Sequence, residues 1–300
     1  MIPIVMSHLT ILKKNEVYLQ IESDPHVFYE LSDQFTFELP GAKFMPQYRK
    51  RYWDGKIRLF NINNGQIYVG LLDKIKKFCE DHDYSYSFVD NEYYGTPFEV
   101  NENISYEGVK DYITSISKYA PREYQIEGVY DALRHNRKLL ISPTASGKSL
   151  MIYSIVRYYV ERGENTLIVV PTTSLVEQMY KDFADYGWDV GSFCHKIYAG
   201  KERETDSQVI ITTWQSIYKL PRNYFKRFSV VVGDEAHQFK SKSLISIMTK
   251  LDHAKYRFGF TGTLDGTQTH KWVLEGLFGP SYKIIGTKDL MTKGHVAKLD

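Results

Sequence analysis

Cysteine is scarce: the 300 residues hold only Cys79 and Cys194. Two thiols so far apart make neither a metal-ligand spacing nor a disulfide framework, and this usage favours a reducing, intracellular setting. Long hydrophobic runs are missing too, since no stretch approaches the roughly 18 uncharged apolar residues a membrane-spanning helix needs. Met1-Ile2-Pro3-Ile4-Val5 has no basic region leading into an apolar segment, so no signal peptide is expected. Net charge is almost absent: 38 basic against 36 acidic side chains leave +2, which alone says nothing about nucleic acid. There is no internal repeat and no low-complexity tract. What remains is 43% hydrophobic and 15% aromatic. That is enough apolar mass for a packed core and excludes wholesale disorder, and the length favours two domains.

The charge is uneven. Lys43, Arg49, Lys50, Arg51, Lys56 and Arg58 face a single acid, Asp54, giving this segment +5 and leaving −3 for the rest of the chain. The segment interleaves its cations with Tyr48, Tyr52 and Trp53. Cations neutralise phosphates and aromatic faces stack on exposed bases, so Lys43, Arg49, Lys50, Arg51, Tyr52, Trp53, Lys56 and Arg58 are candidate DNA-binding residues. A solvated basic loop over core aromatics is the plainer reading of the same residues.

Around this segment the first part of the chain alternates like a small α+β domain over residues 1–92. Leu9 and Ile11, then Val17, Leu19 and Ile21, predict strands, as does Phe35–Leu39 before Pro40-Gly41. Ile57–Ile62 and Gln66–Val69 flank Asn63-Asn64-Gly65, which predicts a hairpin. Leu72, Ile75, Phe78 and Cys79 have helical spacing, and a strand follows at Tyr84–Val89. Residues 93–106, rich in Asn and Glu with Gly95 and Pro97, read as a linker.

From 107 onward strands and helices alternate. Val109, Tyr112, Ile113 and Ile116 have the i, i+3, i+4, i+7 spacing of a helix, and another starts near Pro121 and runs to about His135. Strands are predicted at Leu139–Ile141, Thr166–Val170, Val209–Thr212, Val230–Val232, Arg257–Phe260 and Tyr282–Ile285. Helices are predicted at Lys148–Arg162, Ser174–Tyr186 and around Leu244–Leu251. Such alternation predicts a parallel sheet with helices on both faces.

Two motifs carry chemistry. Ser142-Pro143-Thr144-Ala145-Ser146-Gly147-Lys148-Ser149 sits between a strand and a helix, as a P-loop requires, with Ser in place of the first Gly. Its backbone N–H groups would cradle phosphates, Lys148 would reach the β and γ oxygens, and the Ser149 hydroxyl would ligate Mg²⁺. Lys148 reads as an exposed cation without a core contact. Asp234-Glu235-Ala236-His237 follows Val230-Val231-Val232. Carboxylates at the end of a buried strand are costly without a cation. Mg²⁺ explains Asp234, and Glu235 is then placed to polarise an attacking water.

Together these residues resemble a superfamily-two helicase. Pro121-Arg122-Glu123-Tyr124-Gln125 is similar to the family's adenine-reading Q motif, which implies that Arg122 and Gln125 meet the nucleotide. Val170–Gln178 resembles motif Ia and Ile211–Ser216 motif Ib, which puts Pro171, Thr172, Thr173, Thr213 and Gln215 on nucleic acid. Thr261-Gly262-Thr263 matches motif III, which with His237 couples nucleotide state to nucleic-acid contact. Ser at the first loop position is normal in this family. Within it, the motifs and the basic-aromatic first domain are most similar to phage recombination helicases, with the XPB-like and Rad25-like DNA helicases as the nearest broader group.

The resemblance implies a RecA-like P-loop NTPase domain over 107–286, ATP and Mg²⁺ as cofactors, and branched or forked DNA as partner. It implies a DNA helicase of recombination, repair and replication, acting in the cytoplasm of an infected bacterial host. The family uses a second RecA-like domain that supplies arginine fingers. None of its motifs follows Thr263, so the chain reads as the N-terminal portion of a longer helicase, nearly inactive alone, with 287–300 starting the connection. Two alternatives stay open. The core motifs contact backbone, so an RNA helicase fits them too, and so does a nucleotide-gated clamp that does not translocate.

Overall fold

The computed structural model describes residues 7–39, 41–97, 99–143, 146–199, 204–238, 241–262, 264 and 268–286. The chain divides into two compact units: Met1–Phe98 with Asp265–Leu277, and Glu99–Leu264 with Phe278–Asp300. Among the described residues no helix is long and apolar enough to cross a membrane.

The first unit runs β1 (His8–Lys13), β2 (Tyr18–Glu22), α1 (Pro25–Gln34), β3 (Thr36–Glu38), α2 (Pro46–Arg49), β4 (Lys56–Arg58), β5 (Gln66–Tyr68), α3 (Leu72–Asp81) and β6 (Ser85–Val89). Its sheet has the order β5-β2-β1-β6, antiparallel except for the β1–β6 pair. Leu9, Ile11, Leu19 and Ile21 are fully buried on one face, as the alternation requires. Helix α1 was not anticipated. Pro25 stands at its start, where a missing N–H costs nothing, and Val27 and Leu31, four apart, are its buried stripe.

The expected hairpin is corrected. The turn forms, with Gly65 at φ +68° and a single bridge between Asn61 and Gln66, but its arms part. β4 pairs with β3 in a separate ribbon, and β5 joins β2 with Leu19 opposite Ile67. Both of those side chains are fully buried, so long-range burial outweighs the local turn.

A helix at Gln268–Phe278 was also missed by sequence reading. Its residues up to Leu277 belong to the first unit rather than to the 107–286 domain expected above. Trp272 packs at 5.5 Å from Phe35 and 4.8 Å from Phe37, and Lys74 pairs with Glu275 at 2.9 Å. Gly70 is needed for this approach, because a Cβ there would run into the Glu275 carbonyl oxygen.

The second unit holds a seven-stranded, wholly parallel sheet. After α4 (Tyr106–Ile116) and α5 (Glu123–His135) come β7 (Arg137–Ile141), α6 (Lys148–Val160), β8 (Thr166–Val170) and α7 (Thr173–Asp185). The strands β9 (Cys194–Ile197), β10 (Val209–Thr213), β11 (Val230–Gly233), β12 (Tyr256–Thr261) and β13 (Ser281–Lys283) complete it. The order is β13-β7-β12-β11-β8-β10-β9. Every residue of β8, β10 and β11 is buried, as befits strands covered on both faces. Of the expected 93–106 linker, Glu99–Tyr106 belongs to this unit. Asn101 N–H donates to the Arg134 carbonyl at 2.7 Å, and Ile104 joins the unit's core. The sequence-predicted connection at 287–300 lies outside the described residues.

Candidate functional site

The C-terminal ends of parallel strands are where such sheets bind ligands, and both chemical motifs lie there. β7 leads into the loop at Ser142 and β11 into Asp234. The loop's exit is a left-handed turn at Gly147 (φ +75°) that opens α6. The positive φ favours glycine here, and a Cβ would in addition displace the Gln125 amide. Gln125 is buried, and its amide donates to the Ser146 carbonyl at 2.9 Å and the Gly147 carbonyl at 3.3 Å. Tyr124 donates to the same Ser146 carbonyl at 3.0 Å and accepts from Arg122 at 2.8 Å. Gln125 Oε1 in turn accepts from the Arg122 backbone N–H at 2.9 Å. The segment resembling the Q motif therefore braces the loop from behind. Sequence reading did not single out Tyr124 for this contact with the loop, although it lies inside the quoted motif.

Ser142 and Ser146 bond to each other through their hydroxyls, Ser146 also donates to the Pro143 carbonyl at 2.6 Å, and the Ser142 N–H donates to the Thr261 carbonyl at 2.9 Å. Thr144, Ala145 and Thr263 lie outside the described residues.

Lys148 is not the exposed cation expected from sequence. Only 6% of it is accessible, and its ammonium pairs with Glu235. Glu235 reaches it from a left-handed backbone, φ +47°, a conformation costing about 1–2 kcal/mol for a residue with a Cβ. The other Glu235 oxygen lies 3.5 Å from His237 Nδ1, which shares a 2.7 Å hydrogen bond with the Thr261 hydroxyl. The side chains Lys148, Glu235, His237 and Thr261 thus run in one contiguous chain from the loop to the end of β12, with Gly262 next in sequence.

Asp234 is buried, and burial pushes its carboxyl up to about 6 against an opposing pull from Lys148. The folded protein keeps this proton to about pH 6, the unfolded chain only to 3.8. The stability it contributes is complete below the lower value and gone above the higher. Protein free of nucleotide and Mg²⁺ is therefore expected to lose up to about 3 kcal/mol between pH 4 and 6. Thermal melts across that range check it, and Asp234→Asn should flatten the decline.

The donors fit Mg²⁺. Asp234 is a buried carboxylate whose cationic neighbour Lys148 is already paired to Glu235, and Ser149 adds a hard hydroxyl oxygen; a site that leaves positions for water and phosphate needs little more from the protein. Arg122, by contrast, is exposed with its guanidinium on Tyr124.

Of the residues read as motif Ia, Thr172 caps α7, accepting from the Leu175 N–H at 3.4 Å, and Thr173 is exposed while Pro171 is buried. Thr213 is buried with its hydroxyl on Ser216 at 2.9 Å, and Gln215 donates to the Pro171 carbonyl at 3.3 Å.

In the first unit, Lys43, Tyr48, Arg49, Arg51, Tyr52, Trp53 and Asp54 line an open recess of about 610 Å³. Lys43, Arg49, Lys50, Arg51 and Lys56 are exposed, and Tyr52 is 83% exposed. Trp53 is half-buried and donates to the Lys56 carbonyl at 2.9 Å. Arg58 clasps Asp54 with both nitrogens, which holds the carboxyl down at about 2. Arg58 is thus already engaged, whereas Lys43, Arg49 and Arg51 line the recess and are exposed.

Comparison with known proteins finds matches to residues of both units. A family described as "DNA helicase UvsW, N-terminal" matches residues 9–90, and one described as "Type III restriction enzyme, res subunit" matches 118–266. The ATP-dependent DNA helicase uvsW of Enterobacteria phage T4 is 33% identical over 293 residues, covering 94% of this chain and 57% of that protein. The DNA 3'-5' translocase XPB2 of Sulfurisphaera tokodaii is 32% identical over 146 residues, covering 47% of this chain and 30% of that one. The chain therefore spans little more than half of the first relative and under a third of the second. A crystal structure of the UvsW helicase from bacteriophage T4 superposes with a TM-score of 0.82 at 31% identity, covering 92% of this chain and 99% of that one. With that structure matched almost end to end and the motifs in order at the sheet's C-terminal edge, the chain belongs to the UvsW family of superfamily-two DNA helicases.

Proposed function

We propose that this protein is an ATP-dependent DNA helicase or translocase that couples hydrolysis to strand movement on branched DNA. The observation that carries the reading is the buried Lys148–Glu235 pair, which joins the phosphate loop to the acidic motif. In the resting site each charge satisfies the other. A triphosphate laid on the loop N–H groups and the α6 N-terminus draws Lys148 to its outer oxygens. Glu235 is thereby released to orient the attacking water and accept its proton. The Ser149 hydroxyl and Asp234 would hold Mg²⁺, which would supply neutralisation of phosphate charge. His237 and Thr261 carry the change at Glu235 toward Gly262 and the segment after it. The T4 relative supports action in the cytoplasm of an infected bacterium.

Turnover measured with single-stranded, duplex and forked DNA, and with RNA, tests the reading. DNA should stimulate, forked DNA most. Equal stimulation by RNA would transfer the assignment to an RNA helicase, and indifference to all four would leave an ATPase of another kind.

The recess of the first unit is proposed as a DNA contact. Replacing Arg49, Lys50 and Arg51 together with Ala should weaken binding to every sequence. It should also flatten the plot of log K against log salt by about 0.9 per lost phosphate contact on duplex DNA. Tyr52→Ala is the cleaner probe of stacking, because Trp53 also supports the loop. It should lower affinity for forked and single-stranded DNA more than for duplex, with the salt slope preserved. Fluorescence anisotropy over a salt series reads both, and an unchanged slope in the triple variant would remove the recess from DNA binding.

A further inference from the structure

Large apolar side chains left in water cluster beside the basic recess. Among the described residues eight large hydrophobic side chains are exposed, and three of them, Phe44, Met45 and Tyr52, fall in one short stretch of the first unit. Scattered singly such residues mean little, whereas a group of them marks a binding surface. Phe44 is 77% exposed and Met45 37%, and Phe44, unlike a tyrosine, has no polar group to offer water. It follows Lys43, which lines the recess, without lining the recess itself. The ring therefore stands at the rim.

This apex is held by its backbone. Ala42–Phe44 form a single 3₁₀ turn entered from Gly41 at φ +76°. The Phe44 N–H donates to the Gly41 carbonyl at 3.0 Å and the Met45 N–H to the Ala42 carbonyl at 2.9 Å. The Met45 carbonyl accepts from the Arg49 N–H at 3.1 Å, and Pro46 opens α2. Ala42 is buried against Gly55, where a Cβ would come within 3.0 Å of the Ala42 methyl and 3.1 Å of the Tyr48 ring. Binding thus has little backbone order left to impose. Charge decides what meets the ring: residues 41–53 hold Lys43, Arg49, Lys50 and Arg51 and no acid, which suits a phosphate backbone. An apolar side chain beside phosphate contacts is placed to act on a base step.

Resting on the reading of the recess as a DNA contact, we propose that Phe44 is a wedge residue that selects branched DNA. The cations hold the backbone, and the ring, with Met45 beside it, stacks on the last base pair where a duplex opens into single strands. A continuous duplex presents no such pair face, and entering it costs unstacking. A flexible single strand must first be ordered, so it gains less from the same ring.

The test is fluorescence anisotropy of the full chain with a fork, a linear duplex and a single strand, for the parent, Phe44→Ala, Phe44→Trp and the Arg49, Lys50 and Arg51 triple alanine variant. Phe44→Ala should weaken fork binding about five- to a hundredfold, the range for a base-stacking contact removed by alanine. It should weaken single-strand binding less, leave duplex binding and the salt slope unchanged, and melt with the parent. Phe44→Trp, which keeps a stacking face, should retain the preference for the fork. The proposal is overturned if Phe44→Ala leaves fork affinity unchanged or weakens all three forms alike, with or without a lowered melting temperature. It is equally overturned if Phe44→Trp loses the preference. Where the triple variant weakens binding and Phe44→Ala does not, this proposal alone falls. Where the triple variant binds like the parent with an unchanged salt slope, the DNA reading of the recess falls and takes this proposal with it.

Discussion

Glu235→Gln should bind Mg-ATP at least as tightly as the parent and turn it over about 10²–10⁴ times more slowly, the usual worth of a positioned general base. Glutamine keeps the shape and an acceptor oxygen, so the left-handed backbone at this position and the bond to Lys148 survive. The charge does not, and two effects follow. Lys148 is less strongly retained by its partner and moves to phosphate more readily, which favours binding. The attacking water loses the group that would take its proton, which slows chemistry. Single-turnover hydrolysis beside an analogue titration separates the two. Parental turnover in this variant would show that another residue accepts the proton.

Lys148→Ala should fail in two ways at once. Nucleotide affinity falls because the cation for the outer phosphates is gone. Stability falls too, contrary to what a surface lysine would predict. The side chain is buried and holds Glu235, itself only 12% exposed at the side chain, and it lowers the cost of burying Asp234. Removing one member of a buried pair costs on the order of 3 kcal/mol or more. Asp234, whose carboxyl burial already pushes up, can relieve part of the penalty by taking up a proton, so the deficit against the parent should shrink as the pH is lowered. Melts at pH 5 and pH 7 check this. A variant as stable as the parent at both values would mean that the Lys148–Glu235 pair contributes nothing to the fold.

The second unit was the more legible from sequence because its strands are buried on both faces and its motifs are local. Val230-Val231-Val232 reads as a buried strand by itself, and Gly147-Lys148-Ser149 fixes where the next helix begins. The phosphate loop and acidic motif, named from sequence, meet in space through Lys148 and Glu235. What sequence could not supply is pairing over distance. That β4 turns away from β5 to join β3 depends on the burial of Ile67 against Leu19, which no turn signal encodes. Trp272 belongs to the first unit because Phe35 and Phe37 lie there, nearly the whole chain away. Tyr186 gave no motif signal, since its 2.7 Å hydroxyl contact with Ser149 arises only when α6 and α7 pack side by side.

The excursion of residues 265–277 into the first unit sets an order of assembly during synthesis. Phe35, Phe37 and Lys74 leave the ribosome before the tryptophan and glutamate that cover them, which follow roughly 180 residues after Phe98, a wait of about ten to thirty-five seconds at ordinary rates of synthesis. In that interval the nascent first unit carries uncovered aromatic surface, a period when chaperones have something to hold. The same return dictates how the protein can be cut. A fragment ending at Phe98 would lack the lid over its own core, and the shortest uninterrupted polypeptide that completes the first unit runs to Leu277, with most of the parallel sheet inside it.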